Sequence, residues 1–274
     1  MRILSEPLSV TELQEQLASA NARVAHYQQE VRRLIEAEKL KAQELAVAYQ
    51  QLQSFAKDLK STFEAERRRT KELENSYYDT LLRLVHASQY KDEESGAHVR
   101  RLSHYSKAVA RHLDLGETEA ELIFAAAPMH DVGKIGVPDA VLLKNTSLNR
   151  EEWQVMYRHP SMGATLLMGS NSILLERARE IALTHHERWD GTGYPRGLKK
   201  EEISLSGRIV MLTDQYDALR SKRSYKPPFS HDKTCDVILN GDGRTSPFHF
   251  DPQLLTAFRD LHRVFEAIFT RITD

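Results

Sequence analysis

From about Ser9 to Tyr90 the chain contains neither glycine nor proline, and its apolar residues return at alternating steps of four and three. Leu13, Leu17, Ala20, Val24, Tyr27, Val31 and Leu34 hold the register. After polar residues at Glu38 and Lys41 it resumes at Leu45, Ala48, Leu52, Phe55 and Leu59, weakens at Glu66 and Arg69, and returns at Leu73. Without the two residues that most disfavour a helix interior, nothing here stops a helix. A heptad sustained over this length specifies pairing with another helix. The expectation is a coiled coil over residues 1–76 that joins two copies into a homodimer, with polar core positions fixing register at a cost in stability. A signal-transmitting rod and a plain oligomerisation spacer both fit, because a heptad says nothing about messages.

From Tyr77 onward glycine, proline, histidine and aromatic residues enter, and the texture becomes globular. Apolar periodicity predicts helices over Tyr77–Gln89, Ser95–Leu113, Thr118–Met129, Arg150–His159, Met162–Leu167, Ile173–His186, Leu205–Ser221 and Pro252–Ala267. Turn residues separate them at Asp114–Gly116, Gly133–Pro138, Asp190–Pro195 and Gly241–Gly243. No alternating β-branched run demands a strand. The expected fold class is all-α: a helical domain over residues 77–274, preceded by the long helix.

The 38 Lys and Arg nearly balance the 39 Asp and Glu, for a net charge of −1. That balance draws the whole protein neither to polymeric nucleic acid nor to an anionic membrane. Cys235 is the only cysteine, so no internal disulfide can form. This fits a reducing compartment, and with no metal-binding cluster evident around it Cys235 is read as a small buried apolar residue. The first residues lack the apolar core of a signal peptide, and no apolar stretch approaches a membrane-spanning length. A cytoplasmic location is expected.

Chemistry-bearing residues concentrate in the globular half. His130–Asp131 end an apolar stretch and precede Val-Gly-Lys134. Neighbouring helix side chains point about 100° apart, so both reach one site only where a helix ends or borders a cavity. Glu94 and His98 share a helix face, which suits either a metal or a surface pair. His185–His186 form a doublet before Glu187-Arg188-Trp189-Asp190-Gly191, His159 precedes Pro160, and Asp214 interrupts an apolar helix face. A buried acid is costly unless paired or metal-bound. One metal cluster accounts for all of these exceptions together.

HDVGK at His130–Lys134, HHERWDGTGYP at His185–Pro195 and the order of the remaining ligands resemble the HD-GYP family of HD-domain metal-dependent phosphohydrolases. The resemblance runs from about Gln89 to Phe258. It implies a helical bundle holding two or three divalent metal ions, iron first and manganese next. Glu94, His98, His130, Asp131, His159, His185, His186 and Asp214 fall on the family's metal-ligand positions. His98, His130, Asp131 and Asp214 would hold one ion, and His159, His185 and His186 a second, with Asp131 bridging. Glu94 would recruit a third. Paired ions about 3.5–4 Å apart activate a shared water at neutral pH. Lys134 would meet the substrate phosphate or the departing oxygen.

By the same resemblance the substrate is cyclic di-GMP, opened to pGpG and in some cases cleaved on to GMP. Arg223 and Lys226 align with basic residues that contact substrate phosphates, although the family's Arg-Pro-Tyr is here Arg223-Ser224-Tyr225 and a solvated-loop reading stands beside it. Gly193-Tyr194-Pro195 is read first as a turn, with glycine supplying unusual backbone angles, and Tyr194 is available to stack on a ligand or partner protein. Two other readings stand beside the enzyme: a non-catalytic docking module of the same fold, and a phosphodiesterase for another cyclic dinucleotide. The remaining histidines, His231 and His262 among them, are read as surface or core residues.

Overall fold

The computed structural model describes residues 9–92, 96–221 and 227–273, which are helical with no strand. The chain divides into two compact units, Met1–Asn75 and Ser76–Asp274. Helix α1 runs unbroken from Val10 to Asp92. It starts on a reciprocal cap: Ser9 N donates to Glu12 Oε2 at 2.8 Å, and Glu12 N to Ser9 Oγ at 3.3 Å. The polar residues Glu38 and Lys41 interrupt the apolar stripe without interrupting the helix, because both are good helix formers. The heptad residues Leu13, Val24, Val31, Leu45, Leu52 and Phe55 are all more than half exposed.

Helices α2 (Gly96–His112), α3 (Glu117–Ala126), α4 (Asp139–Leu142), α5 (Arg150–Met156), α6 (His159–Leu166), α7 (Ile173–Thr184), α8 (Leu205–Arg220), α9 (His231–Asn240) and α10 (Pro252–Arg271) follow. Two layers of core hold the second unit. Tyr105, Leu212, Tyr216, Phe258 and Phe265 fill one around α8. Leu81 and Val85 of α1 join Leu102, Met129, Ile181 and Val210 in the other. Each such fully buried side chain contributes about 1.5–3 kcal/mol. His98, His159, His185 and His186 lie near the ends of these helices, whereas Asp214 lies within α8.

Several boundaries differ from the sequence periodicity, and three of the differences have a local reason. Proline cannot donate to the preceding turn, so α3 stops at Ala126 and Pro128 sits in a 3-10 turn, Ala127–Met129. The stretch expected as Arg150–His159 breaks after Met156, and α6 begins at His159 with Pro160 in its first turn, where a missing N–H costs nothing. Helix α9 was not anticipated. Its start is nonetheless capped by Ser230, whose Oγ accepts from Lys233 N at 3.2 Å, and Gly241 ends it at φ 91°.

Candidate metal centre

His130 and Asp131 lie between two 3-10 segments, Ala127–Met129 and Val132–Gly136. Asp131 adopts φ −103°, ψ 10°, outside the helical basin. This bend turns two consecutive side chains toward one cavity, with His130 Nε2 3.2 Å from Asp131 Oδ2. The start of α6 brings His159 to the same place, and the end of α7 brings His185 and His186. Helices α2 and α8 supply His98 and Asp214, with His98 Nε2 3.6 Å from Asp214 Oδ1. Close backbone approach makes this possible at Gly133, where a Cβ would meet His159 O at 1.9 Å and Gly163 N at 2.4 Å.

Three imidazoles are oriented by backbone carbonyls at helix ends. His130 Nδ1 meets Ala127 O at 3.0 Å, His159 Nδ1 meets Met156 O at 2.8 Å, and His185 Nδ1 meets Ala182 O at 3.0 Å. A ring that donates from Nδ1 presents the lone pair of Nε2, the arrangement found around metal-bound histidines. The Nε2 atoms of His159 and His185 converge to 3.4 Å. Asp131 stands between the groups. Its Oδ1 is 3.1 Å from His159 Nε2 and 3.3 Å from His185 Nε2, while its Oδ2 faces His130 and, at 2.6 Å, Lys134 Nζ.

These donors fit divalent cations. Asp131, His159, His185 and His186 form one group and His98, His130 and Asp214 another, and within each group the ligand atoms lie within 4.8 Å of one another. His130 Nε2 and Asp131 Oδ1 are buried without a well-formed hydrogen bond, a costly arrangement that a cation resolves. Imidazole and carboxylate together suit iron, manganese, nickel or zinc. The electrostatics agree. Burial, reinforced by His185 and His159, holds the His186 imidazole well below its usual pKa and therefore neutral. Burial likewise lowers His185. For Asp131 burial opposes ionisation, but Lys134 and His130 overcome it and keep the carboxyl well below the usual range.

Two carboxylates behind the ligands carried no signal in the sequence. Asp217, fully buried on α8, takes His98 Nδ1 on Oδ2 at 2.8 Å and both Nε and Nη2 of Arg101 at 2.7 and 2.8 Å. Burial raises its pKa, yet the bonds from Arg101 and His98 bring it down to about 2. It fixes the ring that points Nε2 at Asp214. Glu187 accepts from Arg196 N at 2.8 Å and Leu198 N at 3.0 Å, and so folds the loop through Gly193–Pro195 onto the histidine doublet.

In that loop Tyr194 lies on His186, ring centroids 4.6 Å apart, and also against Tyr157 at 4.3 Å. The role expected of Gly193 needs correcting: its φ is not in the left-handed region, and what it supplies is close approach, since a Cβ would meet Arg188 N at 2.3 Å and His186 O at 2.5 Å. Tyr194–Pro195 is a cis peptide. Glu94, Arg223 and Lys226 lie outside the described residues. No helix among the described residues is long and apolar enough to cross a membrane.

Residues 86–254 match the family described as the HD domain. The chain is 45% identical over 208 residues to a cyclic di-GMP phosphodiesterase of Vibrio cholerae, covering 71% of this chain and 41% of that protein. It is 39% identical to a cyclic di-GMP phosphodiesterase of Thermotoga maritima, covering 73% and 54%. It is 38% identical to the 3'3'-cGAMP-specific phosphodiesterase 2 of Vibrio cholerae, covering 74% and 38%. The chain thus spans about half the length of these relatives or less. With a histidine–aspartate pair built into the floor of a buried imidazole and carboxylate cluster, and with that match extending over most of the globular unit, the chain belongs to the HD-domain family.

Proposed function

We propose that this chain is a metal-dependent cyclic di-GMP phosphodiesterase of the HD-GYP type, acting in the cytoplasm and releasing pGpG, GMP or both. The observation that carries this reading is Asp131, whose two oxygens face separate histidine groups. In the proposed site His98, His130, Asp131 and Asp214 hold one ion and Asp131, His159, His185 and His186 another, with Glu94 available to a third. Iron is the first choice and manganese the second. Bound there, such ions activate water and neutralise charge on a phosphodiester. Asp131 ties the two groups together and is itself oriented by Lys134. Lys134 places a cation beside that carboxylate, where it meets a substrate phosphate. Asp217 keeps His98 aimed, and Glu187 keeps the Gly193–Pro195 loop closed over His186, with Tyr194 at its edge. Arg223 and Lys226 are proposed to contact the substrate phosphates.

Protein loaded anaerobically with ferrous iron or manganese and given cyclic di-GMP tests this directly. Turnover that disappears in Asp131→Asn supports the reading, and no turnover by fully loaded wild type refutes it. One relative is named as 3'3'-cGAMP-specific, so rates on both cyclic dinucleotides decide the base preference. A docking module would instead keep its cellular effect in Asp131→Ala. The exposed apolar stripe of α1 supports a homodimer formed by residues 1–76 as a coiled coil, ahead of a catalytic domain over 77–274. The loop at Tyr194 is a candidate contact for a signalling partner protein.

A further inference from the structure

Helices α9 and α10 each carry a pair of metal-competent residues one turn apart: His231 and Cys235 on the first, His262 and Glu266 on the second. The pairs meet. His231 Nε2 is 3.0 Å from His262 Nδ1, 3.6 Å from Cys235 Sγ and 3.8 Å from Glu266 Oε2. His231, Cys235 and His262 offer ligand atoms all within 4.8 Å of one another. We infer that His231, Cys235 and His262 form a second, sulfur-containing metal site, suited to zinc and separate from the HD cluster, with Glu266 beside it.

Tetrahedral geometry supports the assignment. Zinc bonds of about 2.0–2.1 Å to nitrogen and 2.3 Å to sulfur place two nitrogens about 3.3 Å apart and a nitrogen about 3.6 Å from the sulfur. The observed 3.0 Å between the two nitrogens and 3.6 Å from His231 Nε2 to the sulfur lie close to those separations. One thiolate and two imidazoles supply three zinc ligands and leave a fourth position open beside Glu266, and the thiolate discriminates against the hard oxygen-preferring ions. Tyr216 Oη lies 2.9 Å from His231 Nδ1 and holds the ring so that Nε2 faces Cys235 and His262. His231 is buried, whereas Cys235 and His262 are half-buried and Glu266 stands at the mouth, which leaves an ion a way in.

The hydrogen-bond chain Tyr216–His231–His262 satisfies the two imidazoles without an ion, and the thiol one turn from His231 adds a third donor at the same place. Cys235, read from the sequence as a small buried apolar residue, is half-buried and lies beside His231 and His262. Its thiol, pushed up to about 11 by burial and then by Asp232 and Glu266, is protonated at neutral pH. The ion staples α9 to α10. Because Tyr216 is on α8, two positions from Asp214, it also braces the helix that carries a ligand of the HD cluster.

Cys235 is the only cysteine, so a thiolate-to-cobalt charge-transfer band reports this site and no other. Full-length protein stripped with a chelator and titrated with Co²⁺ should develop that band until all cation sites are filled, and excess Zn²⁺ should bleach it. Cys235→Ser should lack the band and hold one zinc fewer per chain. His262→Gln, at a half-buried position, should keep its circular dichroism and bind Co²⁺ at this site at least tenfold more weakly. Absence of the band in wild type, or identical zinc content in wild type and Cys235→Ser, overturns the assignment.

Discussion

Replacing Gly133 by alanine tests how tightly the centre depends on backbone approach. The added methyl would lie 1.9 Å from His159 O and 2.4 Å from Gly163 N, whereas ordinary contact begins at 3.4 Å. Both obstacles are backbone, so no side chain can swing away. The 3-10 segment Val132–Gly136 and the start of α6 must part by about 1.5 Å (from 1.9 to 3.4 Å). That separation falls between Asp131 and His159, whose Oδ1 and Nε2 are 3.1 Å apart. Overpacking costs about 1–3 kcal/mol, and a rigid backbone clash belongs at the upper end. At about 2–4 °C per kcal/mol for a unit of this size, Tm should fall by roughly 6–12 °C. A 1 Å misplacement costs about a hundredfold in rate, so kcat should drop at least that far even in the folded fraction. Differential scanning fluorimetry, metal analysis and steady-state turnover on cyclic di-GMP, the proposed substrate, measure the three effects. Wild-type metal content and wild-type kcat in Gly133→Ala would refute the argument.

Asp217→Asn should weaken metal retention by about 10- to 100-fold, read by chelator competition, because His98 loses its anionic partner. The same change removes the charge opposite Arg101 and should cost up to about 3–5 kcal/mol in urea unfolding; an unchanged midpoint contradicts it. Glu187→Gln turns an amide donor toward Arg196 N or Leu198 N, and should cost about 1–3 kcal/mol with faster proteolysis near Tyr194. Deleting residues 1–75 should convert a dimer to a monomer in light scattering, and an unchanged mass would refute the role given to the α1 stripe.

Much of this molecule could be read from residue types alone, and the parts that could not share a cause. His130–Asp131 and His185–His186 stand out because adjacent polar residues end apolar helical stretches. Asp217 and Glu187 do not, since a buried carboxylate and a solvated one look identical until the helices are assembled around them. Pro128 and Pro160 signalled disruption but not its form, a 3-10 turn in one case and a fresh helix start in the other. The glycine of Gly193-Tyr194-Pro195 invited an explanation from backbone angle, whereas the constraint is the distance to His186 O, a tertiary fact. Helix α9 was hidden by its largely polar first half, His231–Asp236, and by the basic, proline-containing stretch ahead of it. The His231–Cys235 and His262–Glu266 spacings were visible, but their meeting depends on how α9 lies against α10.

The account rests on cations seated between Asp131 and the surrounding imidazoles. Anomalous diffraction from crystals of anaerobically purified, iron- or manganese-loaded protein measures this most directly. The account predicts at least two anomalous peaks, one beside His159, His185 and His186 and one beside His98, His130 and Asp214, each within bonding distance of Asp131. Loaded crystals with no peak between those side chains would contradict it.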